Sequence, residues 1–211
     1  MIAVIDMGVS NLASVFRALE RVGAPIAEAA RPMDLPAAAA ILLPGVGAFG
    51  DGMASLRDQG FVEPLRRAAA AGTPIFGICL GMQLLAETSE EHGQHEGLGL
   101  IRGRIVRLAP TQRQFRVPNI GWCDVAPVKE GVLFPSRAAG GSFYHVHSYR
   151  LEPADSACIA ATIDYSGTAV PVAIEQNNLF GVQFHTEKSQ DAGLDLLARF
   201  LDHLRRLGRI N

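Results

Sequence analysis

The chain is poor in several things that would narrow its class at once. It has three cysteines (Cys79, Cys123, Cys158) in 211 residues. An odd, widely spaced set of that size is no disulfide scaffold and suits a reducing compartment. No apolar run approaches the ~18 residues of a membrane span. The opening Met1-Ile2-Ala3-Val4-Ile5-Asp6 lacks the basic flank and long apolar core of a signal peptide. Charge is nearly balanced, with a net value of −2, so no basic excess marks a nucleic-acid binder. Tryptophan occurs once and aromatics make up 7%. What is present is apolar: 48% hydrophobic residues against 19% charged excludes a disordered chain. The expectation is one domain over residues 1–211, cytoplasmic, with a sizeable core and no contact with nucleic acid or membrane.

The first ninety residues alternate. Ile2–Ile5 reads as a buried strand, broken by Gly8. A helix is expected from about Asn11 to Val22, with Ser10 as its cap and Gly23 as its stop. Ile41–Leu43 is a second strand, stopped by Pro44-Gly45. The next helix has Asp51 as its expected cap and Met53, Leu56, Phe61 and Leu65 at loose helical spacing, with Gly60 and Pro64 against it. Pro74–Cys79 is a third strand and Leu80–Glu87 a third helix. This order predicts right-handed crossovers and a mostly parallel sheet flanked by helices.

The second half changes character. Gly99–Leu108, Gly141–Arg150, Cys158–Tyr165 and Val170–His185 are short, often alternating runs, which predicts antiparallel strands added to that sheet. Asn177-Asn178 reads as a turn. A closing helix carries Leu194, Leu197, Leu201 and Leu204 on one face.

Three local patterns bear on chemistry. Gly77-Ile78-Cys79-Leu80-Gly81 lies between a strand and a helix. It is the nucleophile-elbow pattern with cysteine in the serine position, and a helix start behind it would favour the thiolate. A buried core cysteine is the alternative. His185 and Glu187 follow a strand, and in extended chain residues two apart face the same way. Glu187 can then orient His185, giving a Cys79–His185–Glu187 triad; a surface histidine beside a solvated glutamate is the alternative. Gly45-Val46-Gly47-Ala48-Phe49-Gly50 matches a dinucleotide fingerprint, but the following strand ends in Cys79 and not in the acidic residue a ribose needs. An oxyanion-binding loop or a plain turn fits the same residues. His145/His147 and the pair His92/His95, in the polar loop Glu91–Gly99, have spacings a metal could use, with no cluster to complete either site. No metal and no cofactor is expected. Trp122 is either core or an interface anchor.

Taken together, three segments define a resemblance. They are Pro44–Gly50, Gly77–Gln83 and Gly181-Val182-Gln183-Phe184-His185-Thr186-Glu187-Lys188-Ser189. In this order they resemble the triad-type (class I) glutamine amidotransferases. The likeness is strongest to the glutaminase subunits of imidazole glycerol phosphate synthases, and it runs over nearly the whole chain. It implies a flavodoxin-like α/β fold and hydrolysis of glutamine to glutamate and ammonia. Cys79, His185 and Glu187 would be catalytic. Val46, Gly47 and Leu80 would form the oxyanion hole. Gly45, Gly47, Gln83, His147, Ser148 and Tyr149 would bind glutamine. Asn11, Trp122 and Lys188 would face a (β/α)₈ barrel cyclase that receives the ammonia. The chain departs from the pattern at Thr186, where proline is usual, at Asn119-Ile120, where His-Met is common, and at His145.

Overall fold

The computed structural model describes residues 1–8 and 11–211, so the cap expected at Ser10 lies outside the described residues. In chain order the first half runs β1 (Ile2–Ile5), α1 (Leu12–Arg21), β2 (Ile26–Ala29), a 3₁₀ turn at Pro32–Ala37, β3 (Ala40–Gly45), α2 (Phe49–Asp58), α3 (Val62–Ala70), β4 (Ile75–Cys79) and α4 (Leu80–Leu84). The second half runs β5 (Ala86–Ser89), β6 (His95–Glu96), β7 (Ile101–Arg107), β8 (Asn119–Pro127), β9 (Gly141–His147), β10 (Tyr149–Pro153), β11 (Ile159–Tyr165), β12 (Thr168–Gln176), β13 (Leu179–Val182) and α5 (Gln190–Arg206).

The strands form a nine-stranded sheet, ordered β2-β1-β3-β4-β13-β12-β11-β8-β9, and a four-stranded sheet, ordered β10-β7-β5-β6. From β2 to β13 every pairing is parallel, and from β13 onward every pairing is antiparallel. The parallel half has the flavodoxin-like order 2-1-3-4-5. Alternation along the strands splits the core in two. Ala40 and Leu42 face one cluster with α1 and α5, while Ile41 and Leu43 face another with α2, α3 and α4. Each fully buried leucine or isoleucine among these stabilises the fold by roughly 1.5–3 kcal/mol. Leu197, Leu201 and Leu204 of α5 are buried as their spacing predicts, joined by Leu196 and Phe200; Leu194 is only partly buried. Among the described residues no helix is long and apolar enough to cross a membrane.

Several expectations need correction. β2 has no counterpart in the sequence reading, because its four residues form a half-exposed edge strand with little apolar pattern. β3 does not stop at Leu43 but continues through Pro44 and Gly45. Pairing with β1 ends at Leu42 while pairing with β4 runs on to Gly45, so the missing Pro44 N–H falls where the strand has one neighbour. The helix after it begins at Phe49, and Asp51 is an exposed first-turn residue rather than the cap. That helical stretch is two helices, divided at Gly60 with φ +75°. Pro64 sits in the first turn of α3, where its missing N–H costs no helical bond. The helix expected over Leu80–Glu87 ends at Leu84, because Ala86 pairs with Ile101 in the second sheet. Not every later strand extends the main sheet: β7 and β10 build the smaller one, and the run Gly141–Arg150 breaks at Ser148 to serve both.

Candidate active site

Cys79 occupies the sharp junction between β4 and α4, at φ 54° and ψ −111°. Such backbone costs a non-glycine residue about 1–3 kcal/mol and persists only where its surroundings impose it. The two flanking glycines are imposed by contact. A Cβ on Gly77 would lie 2.5 Å from the Met82 nitrogen, and one on Gly81 would be driven into the Leu43 carbonyl oxygen. The strand therefore turns into the helix with no room for a side chain on either side. The helix is only five residues long, so the macrodipole contribution expected at Cys79 is small.

His185 and Glu187 meet, by a different local route from the one expected. β13 ends at Val182, and Thr186–Lys188 is a 3₁₀ turn, not extended chain. The turn brings Glu187 Oε1 to 2.7 Å from His185 Nδ1, with both side chains almost completely buried. The backbone is pinned as well: His185 N–H donates to the Tyr144 carbonyl at 2.9 Å, and Ser189 Oγ donates to the His185 carbonyl at 2.5 Å. With Nδ1 facing the carboxylate, Nε2 is buried without a hydrogen-bond partner. Burial disfavours the imidazolium, but its hydrogen bond to an ionised Cys79 sulfur, the negative charge of that sulfur and the Glu187 carboxylate outweigh burial and raise the His185 pKa to about 9.

Cys79 and His185 open on a cavity of about 290 Å³, also lined by Val46, Gly47, Leu80 and Gln83. Gly45 is the register partner of Cys79 across β3 and β4, so the Val46–Gly47 loop leaves the sheet beside the thiol. Gly47 has φ +97°, a conformation that favours glycine. His147, Ser148, Tyr149 and Glu91 complete the polar lining of the cavity. Gln83 donates to Gln183 Oε1 at 2.9 Å and to the Tyr149 carbonyl at 3.4 Å. Both N–H groups being engaged, its carbonyl oxygen is left to accept from a ligand.

His147 is held rather than free. Its Nδ1 lies 2.9 Å from the Tyr149 carbonyl, which can only accept, so Nδ1 carries the proton and Nε2 is an acceptor. Asn119 Nδ2 and His145 Nδ1 both lie 3.3 Å from that Nε2 and share its single lone pair. His147 thereby fixes the corner at Ser148 between β9 and β10. His145, at 0% exposure, is left with a buried Nε2 that has no partner. Burial and the nearby histidines push the His145 pKa down to about 3. Burial likewise lowers that of His147 to about 4, against the Tyr149 carbonyl, which raises it. The second histidine pair has no common focus: His92 is exposed at φ 56°, and His95 packs on Phe49.

The interface candidates separate clearly. Trp122 is 49% exposed, so it is not core. It stands edge-on to Tyr144, its cross-strand partner, with ring centroids 6.1 Å apart. Lys188 Nζ sits 5.8 Å from the Tyr144 ring centre. The Ile120–Val146 pair continues the patch, and Val146 and Val46 line the cavity mouth. Asn11 is exposed at the start of α1, with no side-chain cap.

Four cavity-related residues escape the sequence reading: Pro118 and Val146, which add apolar lining, and the polar pair Gln183 and Glu91. Gln183 is fully buried and bridges Gln83 to Cys79, its Nε2 lying 3.8 Å from the Cys79 sulfur. Its spacing of two residues from His185 was the available signal. Glu91 belongs to a loop that sequence marks only as polar, and only the fold brings it to the cavity.

A cysteine on a strained strand–helix elbow, facing a histidine held by a glutamate, defines a thiol hydrolase or acyl-transfer site on a flavodoxin-like sheet. The family model for "Glutamine amidotransferase class-I" matches residues 3–204, and the chain belongs to that family. Among curated proteins, it is 44% identical over 207 residues to "Imidazole glycerol phosphate synthase subunit HisH" of Moorella thermoacetica, covering 98% of this chain and 97% of that one. It is 46% identical to the protein of the same name from Herpetosiphon aurantiacus, covering 96% and 94%. Among solved structures, the "PurLQS" structure from Thermotoga maritima superposes with TM-score 0.73 over 98% of both chains at 20% identity, which shows a shared fold.

Proposed function

We propose that this chain is the glutaminase subunit of an imidazole glycerol phosphate synthase, working as one domain over residues 1–211 and hydrolysing L-glutamine to glutamate and ammonia. The observation that carries the chemistry is the buried Glu187–His185 pair beside Cys79, with both His185 and Cys79 lining a small cavity. Cys79 as thiolate attacks the side-chain amide carbon. His185, whose Nδ1–H is held by Glu187, gives its Nε2 proton to the departing ammonia. A γ-glutamyl thioester remains on Cys79. His185 then takes a proton from water, hydroxide attacks the thioester, and glutamate leaves with the thiolate restored. The oxyanion of each tetrahedral state sits against N–H groups of the Gly45–Gly47 loop and of Leu80. The loss of one such donor typically costs ~2.7–4 kcal/mol of barrier, so the loop's conformation can gate the reaction.

The cavity, at about 290 Å³, suits an amino acid. The Gln83 carbonyl and the Glu91 carboxylate provide acceptors for its ammonium group, and the Ser148–Tyr149 corner faces its carboxylate. No cofactor is needed for this sequence of steps. Ammonia requires an acceptor, and the relatives are named as one subunit of a synthase, which agrees with a second subunit as partner. In this reading a (β/α)₈ barrel cyclase covers the patch of Ile120, Trp122, Tyr144 and Lys188 and receives ammonia at the cavity mouth. Asn11 belongs to the same surface. Three free cysteines agree with work in the cytoplasm.

The test is glutamate release from glutamine by the chain alone, then with a histidine-pathway cyclase and its nucleotide ligand. A large rise with partner and ligand supports the reading. Hydrolysis that no such cyclase stimulates assigns the chain to a different synthase, and no hydrolysis in either case makes it a silent docking subunit.

A further inference from the structure

Glu91 occupies two sites at once. Its side chain lines the cavity beside Cys79 and Gln83. Its Oε2 also accepts the backbone N–H of Phe49 at 2.7 Å. Phe49 is the first residue of α2, and Ala48 before it supplies no side-chain cap. The helix therefore takes its N-terminal acceptor from a residue 42 positions away in sequence. First-turn N–H groups have no partner inside their own helix, so this acceptor is not redundant.

The hairpin β5–β6 that carries Glu91 also grips α2 elsewhere. The His95 ring packs on Phe49, with centroids 6.4 Å apart, and closes over Gly50 so tightly that a Cβ there would lie 2.7 Å from it. Arg57, in the last turn of α2, donates to the Glu96 carbonyl at 2.8 Å. Glu91 is itself positioned by its N–H donating to Ser89 Oγ at 3.1 Å. Between β3 and this clamped helix lie only Val46, Gly47 and Ala48. They are anchored at one end by the sheet and at the other by Glu91.

We infer that Glu91 is a positioning residue that couples the substrate-ammonium site to the oxyanion loop through its cap on Phe49. The inference rests on the glutaminase reading above and goes beyond it in assigning Glu91 a second task. One carboxylate oxygen holds the loop's downstream anchor, and the carboxylate as a whole faces the ligand's cation. Drawing the carboxylate toward that cation moves the Phe49 peptide, and the direction of the Val46 and Gly47 N–H groups moves with it. An oxyanion donor works only within about 2.7–3.1 Å of the developing charge, so a small change in the anchor is felt in turnover.

The two tasks separate with two variants and two substrates. Glu91→Gln keeps a carbonyl acceptor for Phe49 and loses the charge. Glu91→Ala loses both. Glutamine carries an α-ammonium group, and its analogue glutaramate does not. The assays use the chain with its cyclase partner and nucleotide ligand. Hydrogen exchange at Phe49 and Gly50 is followed in the chain alone, with no need for activity. For Glu91→Gln, the KM for glutamine rises by about tenfold, the KM for glutaramate rises less, and exchange at Phe49 stays within about twofold of the parent. For Glu91→Ala, glutaramate turnover falls by about tenfold or more, as for an oxyanion donor out of place. Exchange at Phe49 in that variant speeds up by about fivefold, as for a lost cap. Parent-like glutaramate turnover or parent-like exchange in Glu91→Ala overturns the coupling and leaves Glu91 a substrate ligand alone. If the parent protein hydrolyses neither substrate, the glutaminase reading fails, and the exchange measurement still decides whether Glu91 caps α2.

Discussion

Glu187 Oε1 lies 2.7 Å from Nδ1 of His185, the residue that leads into the 3₁₀ turn Thr186–Lys188, and the pair is buried at 3% and 2% side-chain exposure. That contact sets the tautomer: the proton on Nδ1 points to the carboxylate, and Nε2 is turned to the thiol side. Replacing Glu187 by Gln removes the charge and offers an amide N–H that favours the wrong tautomer. The expected result is a fall in kcat of about 10²–10⁴, as when a triad carboxylate becomes an amide, with KM for glutamine little changed. The His185 pKa, raised to about 9 in the parent, falls in the variant. Steady-state kinetics and an NMR titration of the His185 ring check both halves.

Gly81→Ala tests the elbow. The added methyl would be forced into the Leu43 carbonyl oxygen, which belongs to β3 and cannot swing aside. The expected loss is about 3 kcal/mol or more, at the severe end of overpacking. Urea unfolding measures it. Gly47→Ala is the contrast, since open space surrounds that position and only its φ of +97° opposes the change.

Acid stability depends on His145 and His147. Their folded pKa values, about 3 and about 4, lie below the ordinary 6.5, so the unfolded chain binds more protons at mildly acid pH. Their stabilisation is therefore complete above about pH 6.5 and is lost as pH falls toward 4, by at most ~1.4 kcal/mol per pH unit for each ring. His145→Phe removes one titrating ring and its orphaned Nε2 next to Phe184. The variant is expected to be the more stable protein at pH 5, with a shallower dependence of Tm on pH between 6.5 and 4. His185 acts in the opposite window: its raised pKa gives stability that is full below 6.5 and fades as pH climbs through about 9.

Trp122→Ala separates docking from folding. At 49% exposure with one ring neighbour in Tyr144, the side chain contributes little to the isolated fold. Thermal stability is expected to shift by a degree or two only. Binding of the proposed cyclase weakens by about 30-fold or more if Trp122 is a hot spot. Calorimetric titration of the two subunits gives the number.

The sequence determined the parts that depend on local chemistry. Apolar runs at Ile2–Ile5, Ile41–Leu43 and Pro74–Cys79 read as buried strands, and the elbow glycines around Cys79 announced a tight turn. Cys79, His185 and Glu187 stood out because they lie in short motifs, but it is a 3₁₀ turn, not the extended spacing expected, that joins His185 to Glu187. What lacked a local signature was decided by pairing and packing. Ala86 left its helix because Ile101 offered a strand partner. β2 formed because β1 had a free edge. Asp51 lost the cap of α2 to Glu91, which no spacing rule connects to Phe49. Gln183 became the bridge between Gln83 and Cys79 only when β13 settled beside β4. Sequence patterns record which face of an element is apolar, but hydrogen bonds between residues far apart in the chain exist only once the tertiary structure has brought donor and acceptor together.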